Sequence, residues 1–177
     1  MVSTHLRTKD ISKIAERGVF FDTNVLIYLF GDVPPTEKNW YSSLFKKLLA
    51  QRNPLYIDII VISEFINVWL SRKYQNAIDN RQFTGTRKDF RDTDDGQQAM
   101  EDSCNEVKTI LDQFQLTSQN WSKQNIIELL MVNNSDFNDK LITKICRNNN
   151  LILLTNDVDF AHVPIDILTT KKELLNS

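Results

Sequence analysis

Four acidic residues of this chain stand where short apolar runs stop and polar turns or helices begin: Asp22, Glu64, Asp139 and Asp157. Taken singly, each has an ordinary structural use. An Asp at a helix start caps free backbone N–H groups, and an acid in the first turn gains up to about 1 kcal/mol from the helix dipole. Their recurrence after successive strands says more. In an open parallel sheet the strand ends share one edge, and ligands bind in the crevice beyond it. Four carboxylates brought to that edge must be neutralised or driven to high pKa. An all-oxygen donor set of this kind suits a hard divalent cation, Mg²⁺ or Mn²⁺. The two histidines and two cysteines lack the spacing of a zinc site. Such a cation lowers the pKa of a bound water and polarises a phosphoryl oxygen, which is the chemistry of phosphodiester hydrolysis. Thr23, Asn24, Thr155 and Asn156 adjoin the acids and can orient them or hold water, while Lys140, Lys144 and Arg147 follow Asp139 and can meet a phosphate chain.

The elements that must position these residues are legible as alternating strands and helices. Val19-Phe20-Phe21 is a strand buried on both faces, and Asp22-Thr23-Asn24 caps an apolar helix from Val25 to Phe30. A turn at Gly31 to Pro35 precedes a helix carrying Trp40, Leu44, Phe45, Leu48 and Leu49. Leu55 to Ile62 has the length and β-branching of a strand. Ser63 then caps a helix to about Ala77, with Glu64 in its first turn. Met100, Cys104, Val107, Leu111 and Phe114 mark the inward stripe of another helix. Gln115 to Ser118 is a short strand, and Ser122 caps a helix ending at the Asn133-Asn134 break. Asp136 caps the next helix with Asp139 three residues on, an arrangement close to a capping box. Leu151 to Leu154 is a buried strand ending in Thr155-Asn156-Asp157, Pro164 to Leu168 is the last strand, and Lys171 to Ser177 is a tail. This alternation defines an α/β fold with a central parallel sheet and helices on both faces.

At 177 residues the chain suits one domain, here 18–177, after an N-terminal arm at 1–17. A polar insertion at about 76–102 has the composition of an exposed loop or lid. Its Arg81, Arg87, Lys88 and Arg91, interleaved with Phe83 and Phe90, can touch a phosphate backbone or stack a base. Hydrophobic content of 41%, with no long apolar run and no signal-peptide core, points to the cytoplasm and away from membranes. Cys104 and Cys146 both fall on apolar helix stripes, as buried reduced thiols do. A net charge of -2 excludes a generic nucleic-acid clamp but not an enzyme whose acids gather on metal.

Phe21-Asp22-Thr23-Asn24-Val25-Leu26-Ile27, Ile62-Ser63-Glu64-Phe65, Asp139-Lys140-Leu141-Ile142 and Leu153 to Phe160 together resemble the motifs of PIN-domain ribonucleases, most closely the VapC-type toxins of bacterial toxin-antitoxin pairs. The resemblance spans Gly18 to about Leu168. It implies an α/β/α sandwich with strand order 3-2-1-4-5, Mg²⁺- or Mn²⁺-dependent cleavage of RNA, a cognate antitoxin partner and a homodimer. It also implies that Asp22, Glu64 and Asp139 are the three core acids and Asp157 the fourth, with Asp136 the alternative for the third place. The arm and the insertion make the chain longer than is typical of that group. Two other readings remain: a non-catalytic RNA- or protein-binding module whose acids merely cap helices, and a phosphatase or receiver, which also carry aspartates at strand ends.

Overall fold

The computed structural model describes residues 5–31, 35–132 and 135–175. At its centre is β2 (Val19–Phe21), every side chain of which is buried. It is flanked in parallel by β3 (Leu55–Ile57) and β5 (Ile152–Leu154), with Val19 opposite Leu55 on one side and Ile152 on the other. Three consecutive large apolar residues suit this place, since a strand sandwiched between helix layers needs no polar face. Phe21 sits edge-on to Phe114 at 4.9 Å and to Phe45 at 6.0 Å, so the helix layer on that side is pinned by aromatic contacts.

The sheet continues through β4 (Gln115–Leu116) beyond β3, and through β6 (Ile167–Thr169) and β1 (His5–Arg7) beyond β5, every pairing parallel. Its order is β1-β6-β5-β2-β3-β4. Counted from β2, the last five strands reproduce the expected 3-2-1-4-5. The addition is β1: the segment 1–17, expected as an arm preceding the domain, supplies a sixth strand. A 3₁₀ helix, Thr8–Ile14, follows it. The buried Asn53 side chain fastens this segment by donating to the carbonyls of Ile14 and Arg17 at 2.6 and 2.9 Å.

The helices are α1 (Thr23–Phe30), α2 (Pro35–Ala50), α3 (Ile59–Asp79), α4 (Arg87–Arg91), α5 (Asp94–Leu111), α6 (Lys123–Leu129), α7 (Phe137–Asn148) and α8 (Lys172–Leu175). None is long and apolar enough to cross a membrane. Residues 32–34 of the first expected turn and the Asn133-Asn134 break lie outside the described residues.

Several boundaries differ from expectation for clear reasons. β3 stops at Ile57, and the run Ile59–Ile62 is the first turn of α3. The N-cap is Asp58, which accepts from the Ile60 N–H at 3.3 Å and from the Thr117 hydroxyl, and not Ser63. A short β-branched run satisfies either element, and the cap decides. The inward stripe of α5 runs Ala99, Ser103, Val107, Ile110, about one residue out of phase with the expected one, so Cys104 is exposed whereas Cys146 is buried. α6 ends earlier than expected and leaves Ile127, Leu130 and Met131 on the surface. The expected tail contains α8, whose Leu174 is fully buried.

The largest correction concerns 76–102. It is folded, not a loop: α3 runs on to Asp79, and α4 and the first turns of α5 pack back on it. Phe90, Ala99, Ala77 and Leu70 form a satellite core with Tyr74 and Phe83 against it. Gly96 permits the close crossing, since a Cβ there would lie 2.0 Å from the Phe90 carbonyl oxygen. Phe83 and Phe90 pack on each other at 5.4 Å and are not free to stack bases. Truncating Phe90 to Ala should therefore cost about 3 kcal/mol in urea unfolding and strip amide-exchange protection from α4 and the start of α5, whereas a solvated loop would register almost nothing.

Candidate functional site

Beyond the carboxyl ends of β2 and β5 lies a cleft of about 210 Å³ whose lining includes Asp22, Glu64, Asp136, Asp139, Asp157 and Asp159. Four separate stretches of chain deliver them. Asp22 ends β2 and caps α1, its N–H continuing the ladder to the Leu154 carbonyl at 3.1 Å. Glu64 comes from the second turn of α3, one turn later than expected. The carboxylate that directly follows β3 is Asp58, consumed by its capping and Thr117 bonds. Asp136 caps α7 by accepting from the Asp139 N–H at 2.8 Å, which turns Asp139 over the helix start. Asp157 caps the 3₁₀ turn Val158–Phe160 after β5.

Threonines hold these acids in place. The Thr155 hydroxyl donates to Asp22 at 2.6 Å and itself accepts from the Asp157 N–H at 2.9 Å, locking the ends of β2 and β5 together. The Thr23 N–H donates to the other Asp22 oxygen at 2.7 Å, while its hydroxyl donates to Glu64 at 2.9 Å. One residue pair thus links three of the four candidate acids. Asn24 donates to Thr155 at 3.4 Å, and its side-chain oxygen is buried with no donor. Asn156 does not line the cleft.

Electrostatically the site is loaded with uncompensated negative charge. Burial pushes the Asp22 carboxyl up from 3.8 to about 7, despite the opposing bonds from Thr155 and Thr23; the charges of Glu64 and Asp157 add to the rise. Keeping Asp22 ionised thus costs about 4 kcal/mol relative to water. Burial, with the charges of Asp136, Asp157 and Asp159, raises Asp139 to about 6. Beneath them the Cys146 thiol is driven up by its burial and by Asp22, which leaves it an inert apolar filler.

The expected cations lie elsewhere. Lys140 donates to the Met131 and Leu129 carbonyls at 2.5 and 3.4 Å, closing the C-terminus of α6. Lys144 pairs with Glu128 at 3.0 Å, and Arg87 is tied to Asn67 at 3.0 Å. Arg147 and Lys88 are exposed, and none of the five lines the cleft. The cation that does is Arg72, which the sequence reading passed over, along with Asp159, Asn138 and Tyr28. Its signal was the spacing Glu64, Val68, Arg72, one stripe of α3 at steps of four.

Comparison with known proteins agrees with this architecture. The family model described as the PIN domain matches residues 19–166, and the chain belongs to the PIN domain family, whose members are generally nucleases that use divalent metals. Among similar solved structures is that of VapBC2 from Rickettsia felis bound to a DNA fragment from its promoter, with 18% identity and a TM-score of 0.48 over 86% of this chain and 98% of the other. No curated protein matches significantly.

The donor chemistry fits a divalent cation. The lining acids offer only oxygen, two have pKa values raised for want of a counter-charge, and the orphaned Asn24 oxygen adds a neutral donor. Among the described residues no three Asp, Glu, His or Cys side chains are already gathered round a common point.

Because Asp22 and Asp139 titrate higher in the fold than in an unfolded chain, folding favours their protonated forms. Their contribution to stability is complete below about pH 4 and is lost as pH rises through about 6 to 7. In thermal melts with a chelator, Asp22→Asn should match wild type near pH 4 and exceed it near pH 8 by up to about 4 kcal/mol. Parallel pH profiles for the two proteins would contradict the burial of the charged form.

Proposed function

We propose that the protein is a divalent-metal-dependent endoribonuclease that hydrolyses phosphodiester bonds of single-stranded RNA in the acidic cleft, acting as the toxin of a type II toxin-antitoxin pair. The observation that carries the reading is the delivery of Asp22, Glu64, Asp139 and Asp157 to one cleft from four separate stretches of chain. Helix capping accounts for Asp22, Asp136 and Asp157, each of which caps an element. It leaves Glu64 and Asp139, which cap nothing, unaccounted for, so a purely capping, non-catalytic module explains the site less well.

In this reading Asp22, Glu64, Asp139 and Asp157 hold Mg²⁺ or Mn²⁺, with Asp136 beside them. The bound ion supplies a lowered pKa for a water and charge stabilisation for the phosphoryl oxygens. Thr155 fixes Asp22 and the Asp157 turn, and Thr23 aims Glu64 at the same space. Two hydrogen bonds hold the Asp22 carboxylate and one holds that of Glu64, and a bound cation would take the place of the protons that the raised pKa values put on Asp22 and Asp139. A cognate antitoxin and a homodimeric state belong to the same reading, on the strength of the motif resemblance.

Purified protein with Mn²⁺ should cut labelled RNA at single-stranded positions, and Asp139→Asn should lower the rate by about 100-fold or more. Equal rates for the two proteins would overturn the assignment. Calorimetry should show Mn²⁺ binding that Asp22→Asn abolishes. Induced expression should arrest growth with wild type and not with Asp139→Asn.

A further inference from the structure

We propose that Arg72 forms a phosphate subsite beside the acidic cleft, where its guanidinium grips an RNA phosphate away from the bond that is cut. The proposal rests on the ribonuclease reading for the identity of the ligand. Arg72 lines both the acidic cleft and a smaller neighbouring hollow whose walls include Ile27, Gly31, Trp69 and Lys73, so it stands between the two.

One unused cation stands at this junction. Arg72 is exposed and makes no ion pair or hydrogen bond among the described residues, although six carboxylates line the cleft that it borders. An arginine beside so many acids that pairs with none of them keeps its forked donors for something else, and a phosphate accepts both prongs. The Trp69 ring nearby packs on Phe65 at 5.8 Å and lies under the Lys73 ammonium at 5.8 Å, so the neighbouring cation of the helix is occupied. Eight residues of helix place Arg72 about 12 Å along the axis from Glu64. An anionic strand is repelled by the acids wherever no cation shields it, so the route by which it leaves the cleft is set by the nearest free positive charge. That charge is Arg72.

The test is binding of a fluorescein-labelled short uridine-rich RNA, with Ca²⁺ in place of Mn²⁺, followed by anisotropy across a series of KCl concentrations. Arg72→Gln should weaken binding about tenfold and reduce the slope of log affinity against log salt by about 0.7, the value for one lost phosphate contact on a single strand. Arg72→Lys should retain the slope. In cleavage assays Arg72→Gln should lower kcat/KM more on longer oligonucleotides than on a dinucleotide. An unchanged salt slope in Arg72→Gln, or equal loss on dinucleotide and longer RNA, would overturn the subsite. Wild type that binds with these slopes yet never cuts RNA with Mn²⁺ would instead sink the ribonuclease reading and leave the subsite standing.

Discussion

The burial of one carboxylate, Asp22, is the condition on which the rest of this structure turns. It sits 6% exposed at the end of a strand whose three residues are wholly buried, so water supplies almost none of its solvation. Two hydrogen bonds replace part of what is lost, and each also does architectural work: the Thr155 hydroxyl ties the end of β5 to the end of β2, and the Thr23 N–H begins α1. The remaining deficit appears as an acid whose pKa stands near neutrality. Charge-assisted hydrogen bonds contribute about 1.5–3 kcal/mol each, yet desolvation outweighs both here. A group kept in so unfavourable a state at the centre of the sheet edge is a reservoir that a cation can discharge, and the neighbouring acids deepen it.

The same economy of charge explains where the cations went. Basic residues expected near the phosphate chain are engaged in holding α6 against α7, through Lys140 on the Met131 and Leu129 carbonyls and Lys144 on Glu128. These contacts brace the rim of the cleft on the Asp139 side without neutralising it. Among the described residues, Arg72 is thus the cation that lines the acidic cleft.

Much of this was legible in the residues. Strand identity, the parallel sheet and the approach of Asp22, Glu64, Asp139 and Asp157 to one edge follow from buried apolar runs ending in polar turns, whereas the order of the five later strands came from the motif resemblance. What was missed has physical causes. Ile59 to Ile62 reads as strand because local β-branching is blind to the Asp58 cap and its Thr117 partner. The α5 stripe slipped by a residue because Ser103 is fully buried with its hydroxyl returned to the Met100 carbonyl at 2.7 Å, so a polar residue occupies an inward position. The insertion looked solvated because its core is small: a few apolar residues suffice when a long helix such as α3 already offers a surface to pack on. Arg72 escaped notice because its meaning depends on what does not contact it, and no local pattern reports that.

The strand made by His5, Leu6 and Arg7 reaches outside the matched 19–166 region and lies along β6. All three residues of β6 are buried, and α8, with its buried Leu174, packs against β1. Without that short strand, the backbone donors and acceptors of β6 would form an open, apolar edge of the kind that templates strand addition between molecules. The opening segment thus covers that edge with a strand from outside the matched region, so the completeness of the sheet depends on residues that the family match does not include.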